Sequence, residues 1–193
     1  MAEPRIVVMG GSAGAIEALL EILPALPAGY PLPVLVVVHL PGGQQSMLAE
    51  VLGARTPLAV IEAEDKARAT PGTVHVAPPD YHLLVEADGT LALSVDAPVH
   101  HSRPAIDPLL ESAADAYAEG VVGVVLSGAS ADGAAGLAAV RRAGGLAIVQ
   151  DPATAWSPHM PEAALREADP QLVLAPAAIR AYLVSLGGTE VRR

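Results

Sequence analysis

Residues 5–20 read RIVVMGGSAGAIEALL, and this stretch decides the fold. Residues 5–9 (RIVVM) are a short, β-branched run of the kind that suits a strand buried on both faces. Gly10 and Gly11 end it. Over residues 14–23 (GAIEALLEIL), Ile16, Leu19, Leu20 and Leu23 recur at helical spacing. A buried strand that passes through a glycine turn into an amphipathic helix opens a β–α unit, and the rest of the chain repeats the theme.

Residues 34–39 (VLVVVH) form a second buried-type strand, residues 44–53 (QQSMLAEVLG) a helix stopped by Gly53, and residues 58–61 a third strand. Residues 73–77 (TVHVA), 81–86 (YHLLVE) and 91–95 (LALSV) alternate in part, and Asp88-Gly89 is a hairpin signal. The stretch 73–95 therefore reads as an antiparallel excursion. A helix over 105–119, with Pro104 at or near its first turn, leads into a strand at 121–126. Next come a helix at 133–143, a strand at 146–150, a helix at 161–168, a short strand at 171–174 and a helix at 176–186. This order predicts an α/β fold: a doubly wound, mostly parallel open sheet with helices on both faces and an antiparallel hairpin. A closed eight-fold barrel would need about 250 residues. Residues 1–188 read as one domain and 189–193 as a frayed tail.

Composition narrows the chemistry. Of 193 residues, 52% are hydrophobic and 17% charged, which excludes a disordered chain. Aromatic residues are only 3%, with one Trp and no Phe, so the core must be built from Ala, Val, Leu and Ile. The net charge is −10 and Lys66 is the only lysine. No basic stripe exists to neutralise phosphates, so nucleic acid and anionic membrane surfaces are not expected partners. The absence of Cys excludes disulfides, thiolate catalysis and cysteine-ligated metal sites. The longest apolar stretches, 31–40 and 121–126, fall well below the ~20 residues of a membrane helix. The opening MAEPRIVVMGG carries no basic region or cleavage site, so no signal peptide and no membrane insertion are expected, and the default is a cytoplasmic protein.

In open α/β sheets, sites form beyond the carboxyl ends of the strands. That rule brings Ser12, His39, Asp132 and Asp151 to one edge. Gly10-x-Ser12-x-Gly14 matches the G-x-S-x-G nucleophile elbow between a strand and a helix. A hydroxyl held on a sharp turn, with helix-start N–H groups beside it, suits attack on a carbonyl. The same loop could cap a helix or cradle a phosphate. His39, on a strand neighbouring the first, is the candidate base. Asp132 and Asp151 compete to orient the imidazole; Asp132, in a loop of small residues, is favoured. His75 and His82 read as surface strand residues, and His100-His101 as a solvated turn without a metal.

Residues 5–20, 34–41 (VLVVVHLP), 70–78 (TPGTVHVAP), 102–107 (SRPAID), 121–136 (VVGVVLSGASADGAAG) and 144–152 (GGLAIVQDP) resemble, in order, the CheB-type protein-glutamate methylesterase catalytic domain. The resemblance implies a doubly wound sheet with a hairpin, and hydrolysis of glutamate methyl esters on chemoreceptors, with glutamine deamidation in many members. It puts the nucleophile on Ser12, the histidine on His39, the aspartate on Asp132 and the oxyanion donors on the backbone N–H groups near Ala13 and Ala129. No metal or cofactor is implied, and the expected partner is a methylated chemoreceptor or similar signalling protein. Two departures bear on pocket shape: Ala13 stands where the family pattern has Thr, and Ala129-Ser130 where it has Met-Gly. The receiver domain common in the family is not expected here. Two other readings are a catalytically idle interaction domain and a phosphate- or nucleotide-binding module using the Gly10–Ala15 loop. The loop misses the G-x-G-x-x-G spacing and lacks a Walker lysine.

Overall fold

The first strand, β1 (Ile6–Gly11), is fully buried because it lies at the centre of the sheet, between β2 (Val34–Val38) and β7 (Val121–Val125). The computed structural model describes residues 3–39 and 46–188. Seven strands form the sheet in the order β3-β4-β2-β1-β7-β8-β9, and every pairing in it is parallel. The others are β3 (Ala59–Glu62), β4 (Thr73–Val76), β8 (Leu146–Gln150) and β9 (Leu172–Leu174). A separate antiparallel pair joins β5 (His82–Val85) to β6 (Leu91–Ser94).

Alternation along β1 sends Ile6 and Val8 into one core, and Val7 and Met9 into the other. The first core lies under α3 (Ile106–Tyr117), α4 (Ala134–Arg142) and α5 (His159–Ala168), which bury Leu109, Leu110, Leu137, Val140 and Met160. The second lies under α1 (Ala15–Ile22), α2 (Leu48–Gly53) and α6 (Pro176–Gly187), which bury Leu19, Ile22, Leu52, Ile179 and Leu183. Full burial of each such aliphatic side chain stabilises by about 1.5–3 kcal/mol. Helices on both faces make the predicted doubly wound architecture. Among the described residues, no helix is long and apolar enough to cross a membrane.

Three expectations need correction. Residues 73–77 do not belong to an antiparallel excursion: β4 pairs in parallel with both β2 and β3. Its partial alternation misleads because β3 covers its outer edge and both of its faces are packed. For the same reason His75 is buried, at 2% exposure. His82 is buried equally, beneath the segment entering α3: its Nδ1 accepts the Ala105 N–H at 3.2 Å and its Nε2–H donates to the Ala97 carbonyl at 3.1 Å. The expected helix over 44–53 is seen over Leu48–Gly53; residues 44 and 45 lie outside the described residues, as does the 189–193 tail.

Candidate active site

The chain leaves β1 to one side for β2 and reaches β7 on the other, so the carboxyl end of β1 is the switch point of the sheet. Ser12 and His39 follow directly on β1 and β2. The parallel register pairs Gly11 with Val38, so the next residues, Ser12 and His39, stand side by side on strands about 4.8 Å apart. Backbone bonds hold that relation past the strand ends: His39 N–H donates to Gly11 O at 3.1 Å, and Ser12 N–H donates to Ser127 O at 2.8 Å. Ala15 N–H closes the turn onto Ser12 O at 3.0 Å, and Gly14, at φ +81°, supplies the left-handed residue that starts α1.

Asp132 arrives from the loop between β7 and α4 and is fully buried. His39 Nε2 lies 2.6 Å from its Oδ2, although 93 residues separate the two. The same Oδ2 accepts the Ile106 N–H at 2.6 Å, and Oδ1 accepts those of Asp107 at 2.9 Å and Gly133 at 3.0 Å. Burial pushes the Asp132 carboxyl up, but the His39 hydrogen bond, the Ile106 and Asp107 N–H groups and the His39 charge together hold it below the usual value. Asp132 is therefore a carboxylate. Asp151 is elsewhere in its bonding: its side chain accepts the Ala153 N–H at 2.9 Å and caps the turn at 152–154.

Among the described residues, the Ser12 hydroxyl makes no hydrogen bond, and the Ala13 and Ala129 N–H groups donate to none. Both alanines are exposed and Ser12 is half-buried, so the rim is open to a large substrate. With Nε2 committed to Asp132, Nδ1 is the remaining ring nitrogen of His39. This arrangement can deliver a hydroxyl nucleophile, an imidazole base backed by a buried carboxylate, and unspent N–H donors at the same edge.

Three site residues escaped the sequence. Ser127 is fully buried and ties the two loops around Ser12 together: its hydroxyl donates to Ala13 O at 2.6 Å and accepts the Ser157 N–H at 2.9 Å. Its signal was only its place right after a buried strand. Trp156 stands 85% exposed beside Gly14, over a cleft of about 510 Å³ next to the loop. Asp107, in the first turn of α3, accepts N–H bonds from Gly133 and Gly136. The His100-His101 turn is exposed as expected at His100 and His101, yet His100 Nε2 reaches Asp107 Oδ2 at 3.4 Å. His100, Asp107 and Asp132 could together offer ligand atoms to a metal ion. Both Asp132 oxygens and Asp107 Oδ1 already accept hydrogen bonds, so the cluster has little left to give a cation.

Comparison with known proteins follows the same outline. The family model described as CheB methylesterase matches residues 7–183. A protein-glutamate methylesterase/protein-glutamine glutaminase of Anaeromyxobacter dehalogenans is 46% identical over 176 residues, 91% of this chain and 52% of its own. A Leptospira interrogans protein provisionally named for the same two activities is 41% identical over 168 residues, 87% of each chain. The crystal structure of the Thermotoga maritima CheB methylesterase catalytic domain superposes with a TM-score of 0.90 at 35% identity, covering 96% of this chain and all of that one.

Proposed function

The chain belongs to the CheB methylesterase family, and on that premise we propose that it hydrolyses glutamate methyl esters on a chemoreceptor-like signalling protein, with Ser12, His39 and Asp132 as its catalytic triad. Ser12 Oγ attacks the ester carbonyl while His39 Nδ1 takes its proton. Asp132 faces the opposite nitrogen, fixes the tautomer and stabilises the imidazolium that forms. The Ala13 and Ala129 N–H groups receive the tetrahedral oxyanion. The imidazolium returns its proton to the leaving methoxide, and methanol departs. Water, deprotonated by His39, then attacks the Ser12 ester and frees the glutamate. Glutamine follows the same route, with ammonia as the leaving group.

The observation that carries this reading is the 2.6 Å contact between His39 and a fully buried Asp132, set beside Ser12 by strand register. Ala13 and Ala129 do not count against it, because the donors are main-chain groups. The phosphate-cradle reading has less support. The Ser12 and Ala15 N–H groups of that loop are spent on Ser127 O and Ser12 O, which halves the donors a phosphate would need. The test is mass spectrometry on enzyme quenched during turnover of a γ-methyl-glutamyl receptor peptide. An acyl adduct on the peptide containing Ser12, lost in Ser12→Ala, is expected. Turnover by Ser12→Ala at the wild-type rate would overturn the assignment.

A further inference from the structure

Two helices begin at the rim that holds the site, and neither is capped by the residue in front of it. Ala105 precedes α3 and Gly133 precedes α4, and neither has a polar side chain to offer. The first N–H groups of a buried helix end need acceptors from somewhere. Here they come crosswise. Asp132, just ahead of α4, accepts from Ile106 and Asp107 at the start of α3. Asp107, in the first turn of α3, accepts from Gly133 at 2.9 Å and Gly136 at 2.7 Å at the start of α4.

Both side chains are buried, Asp132 at 0% and Asp107 at 5% exposure. Gly136 permits the approach: a Cβ there would sit 2.9 Å from the Asp107 Cα and carbonyl oxygen. The two aspartates thus lock two helix starts to each other, and only one of them touches His39. Each also profits from the partial positive charge at the helix end it faces.

We propose that Asp107 is a positioning residue of this site: it fixes the Asp132 loop through Gly133 and Gly136, and its charge, acting through Asp132, makes His39 a stronger base. The catalytic part of this claim rests on the esterase reading above; the coupling between Asp107 and His39 does not.

The surroundings of Asp107 make its charge adjustable. Burial is the largest influence and lifts its carboxyl; the Gly136 N–H opposes, the Asp132 charge adds, His100 opposes and Glu111 adds, and the result is about 6. The groups facing it are His100 on the preceding loop, Asp132 ahead of α4 and Glu111 on α3 itself. His82, on β5 against α3, is turned to Ala97 and Ala105 instead. Below pH 6 Asp107 is mostly neutral and His39 is backed by one carboxylate. Above it there are two, and the second negative charge favours the imidazolium that forms when His39 takes a proton.

The experiment is an NMR titration of the His39 imidazole in the wild type and in Asp107→Asn. Asparagine keeps an oxygen for both glycine N–H groups and removes the charge. The His39 midpoint is expected to lie lower in the variant than in the wild type, and the acid limb of kcat/KM for the methyl ester to move down with it while KM stays put. Asp107→Ala, which removes the acceptors as well, is expected to lower kcat about tenfold at every pH, because the loop loses its brace. Superimposable His39 titrations in wild type and Asp107→Asn overturn the coupling, whatever the ester assay shows. If Asp107→Asn does not fold, the wild type decides alone: the His39 resonances must shift in step with the Asp107 carboxyl, followed directly by carbon NMR, and a His39 response independent of the Asp107 titration overturns the proposal. A shifted titration in an enzyme without ester turnover keeps the coupling and removes the esterase reading.

Discussion

His39 presents Nε2, not Nδ1, to Asp132, at 2.6 Å. The nitrogen left facing away from Asp132 is therefore Nδ1, the one nearer the main chain. That choice suits a histidine placed directly at the end of β2, one strand away from Ser12, with Asp132 arriving from the loop between β7 and α4.

Asp132→Asn places an amide where His39 Nε2–H needs an acceptor and where three backbone N–H groups converge. Its kcat is expected to drop by roughly 10³- to 10⁴-fold. Asp151→Asn, which alters only the cap of the turn at 152–154, is expected to stay near the wild-type rate. Steady-state methyl-ester kinetics on variants with wild-type circular dichroism decide it; equal losses contradict the assignment of the acid.

The two aspartates also predict opposite stability profiles. Asp132 has a folded value below its ordinary 3.8, so it contributes stability above that pH, and the contribution fades as pH falls through 3.8 towards the folded value. Asp107, lifted from 3.8 to about 6, holds its proton more tightly when folded. It costs stability instead, progressively as pH rises from 3.8 through 6. In urea denaturation, the stability of Asp107→Asn relative to the wild type should therefore climb over that window and level off above it. A difference that does not vary with pH contradicts the elevated carboxyl.

His75 is held neutral by burial, which lowers it from 6.5. Its Nε2 accepts the Thr70 N–H at 3.2 Å, which makes it the Nδ1–H tautomer, and that Nδ1 is buried without a partner. Its folded value is depressed, so the wild type should lose stability as pH falls below 6.5. An NMR titration should place the His75 midpoint below 6.5; a midpoint above it would mean the ring is solvated or paired.

Gly14→Ala forces an alanine to φ +81° and drives its Cβ into Trp156 Cβ. The left-handed conformation alone costs about 1–2 kcal/mol. A lower Tm and a changed emission spectrum from Trp156, the only tryptophan, are expected together. Lower stability with unchanged emission would mean that the 151–158 loop is not seated on the turn at 12–15.

The strand–turn–helix at 5–20 was legible because a β-branched run, two glycines and a helical repeat agree with one another. Once the sheet was recognised as doubly wound, the strand-end rule brought Ser12, His39, Asp132 and Asp151 to one edge without a structure, and the small residues around Asp132 favoured it over Asp151. What stayed hidden depends on contacts far apart in the chain. The sequence TVHV of β4 reads as half-exposed, and the covering strand β3, outside it, helps to bury His75. His82 is buried by a segment whose first bonding partner, Ala97, lies fifteen residues later. Asp107 looks like an ordinary acid in a first helical turn; its partners are N–H groups of Gly133 and Gly136, which side-chain patterns do not reveal. Trp156 carries no motif and stands out only through its exposure beside Gly14.

The central claim is that Ser12 is a nucleophile served by His39, and methanol release from a methylated chemoreceptor tests it most directly. The wild type should liberate methanol catalytically, and Ser12→Ala, folded alike by circular dichroism, should be slower by a factor of about 10³ or more. Equal methanol release from the two proteins contradicts the account.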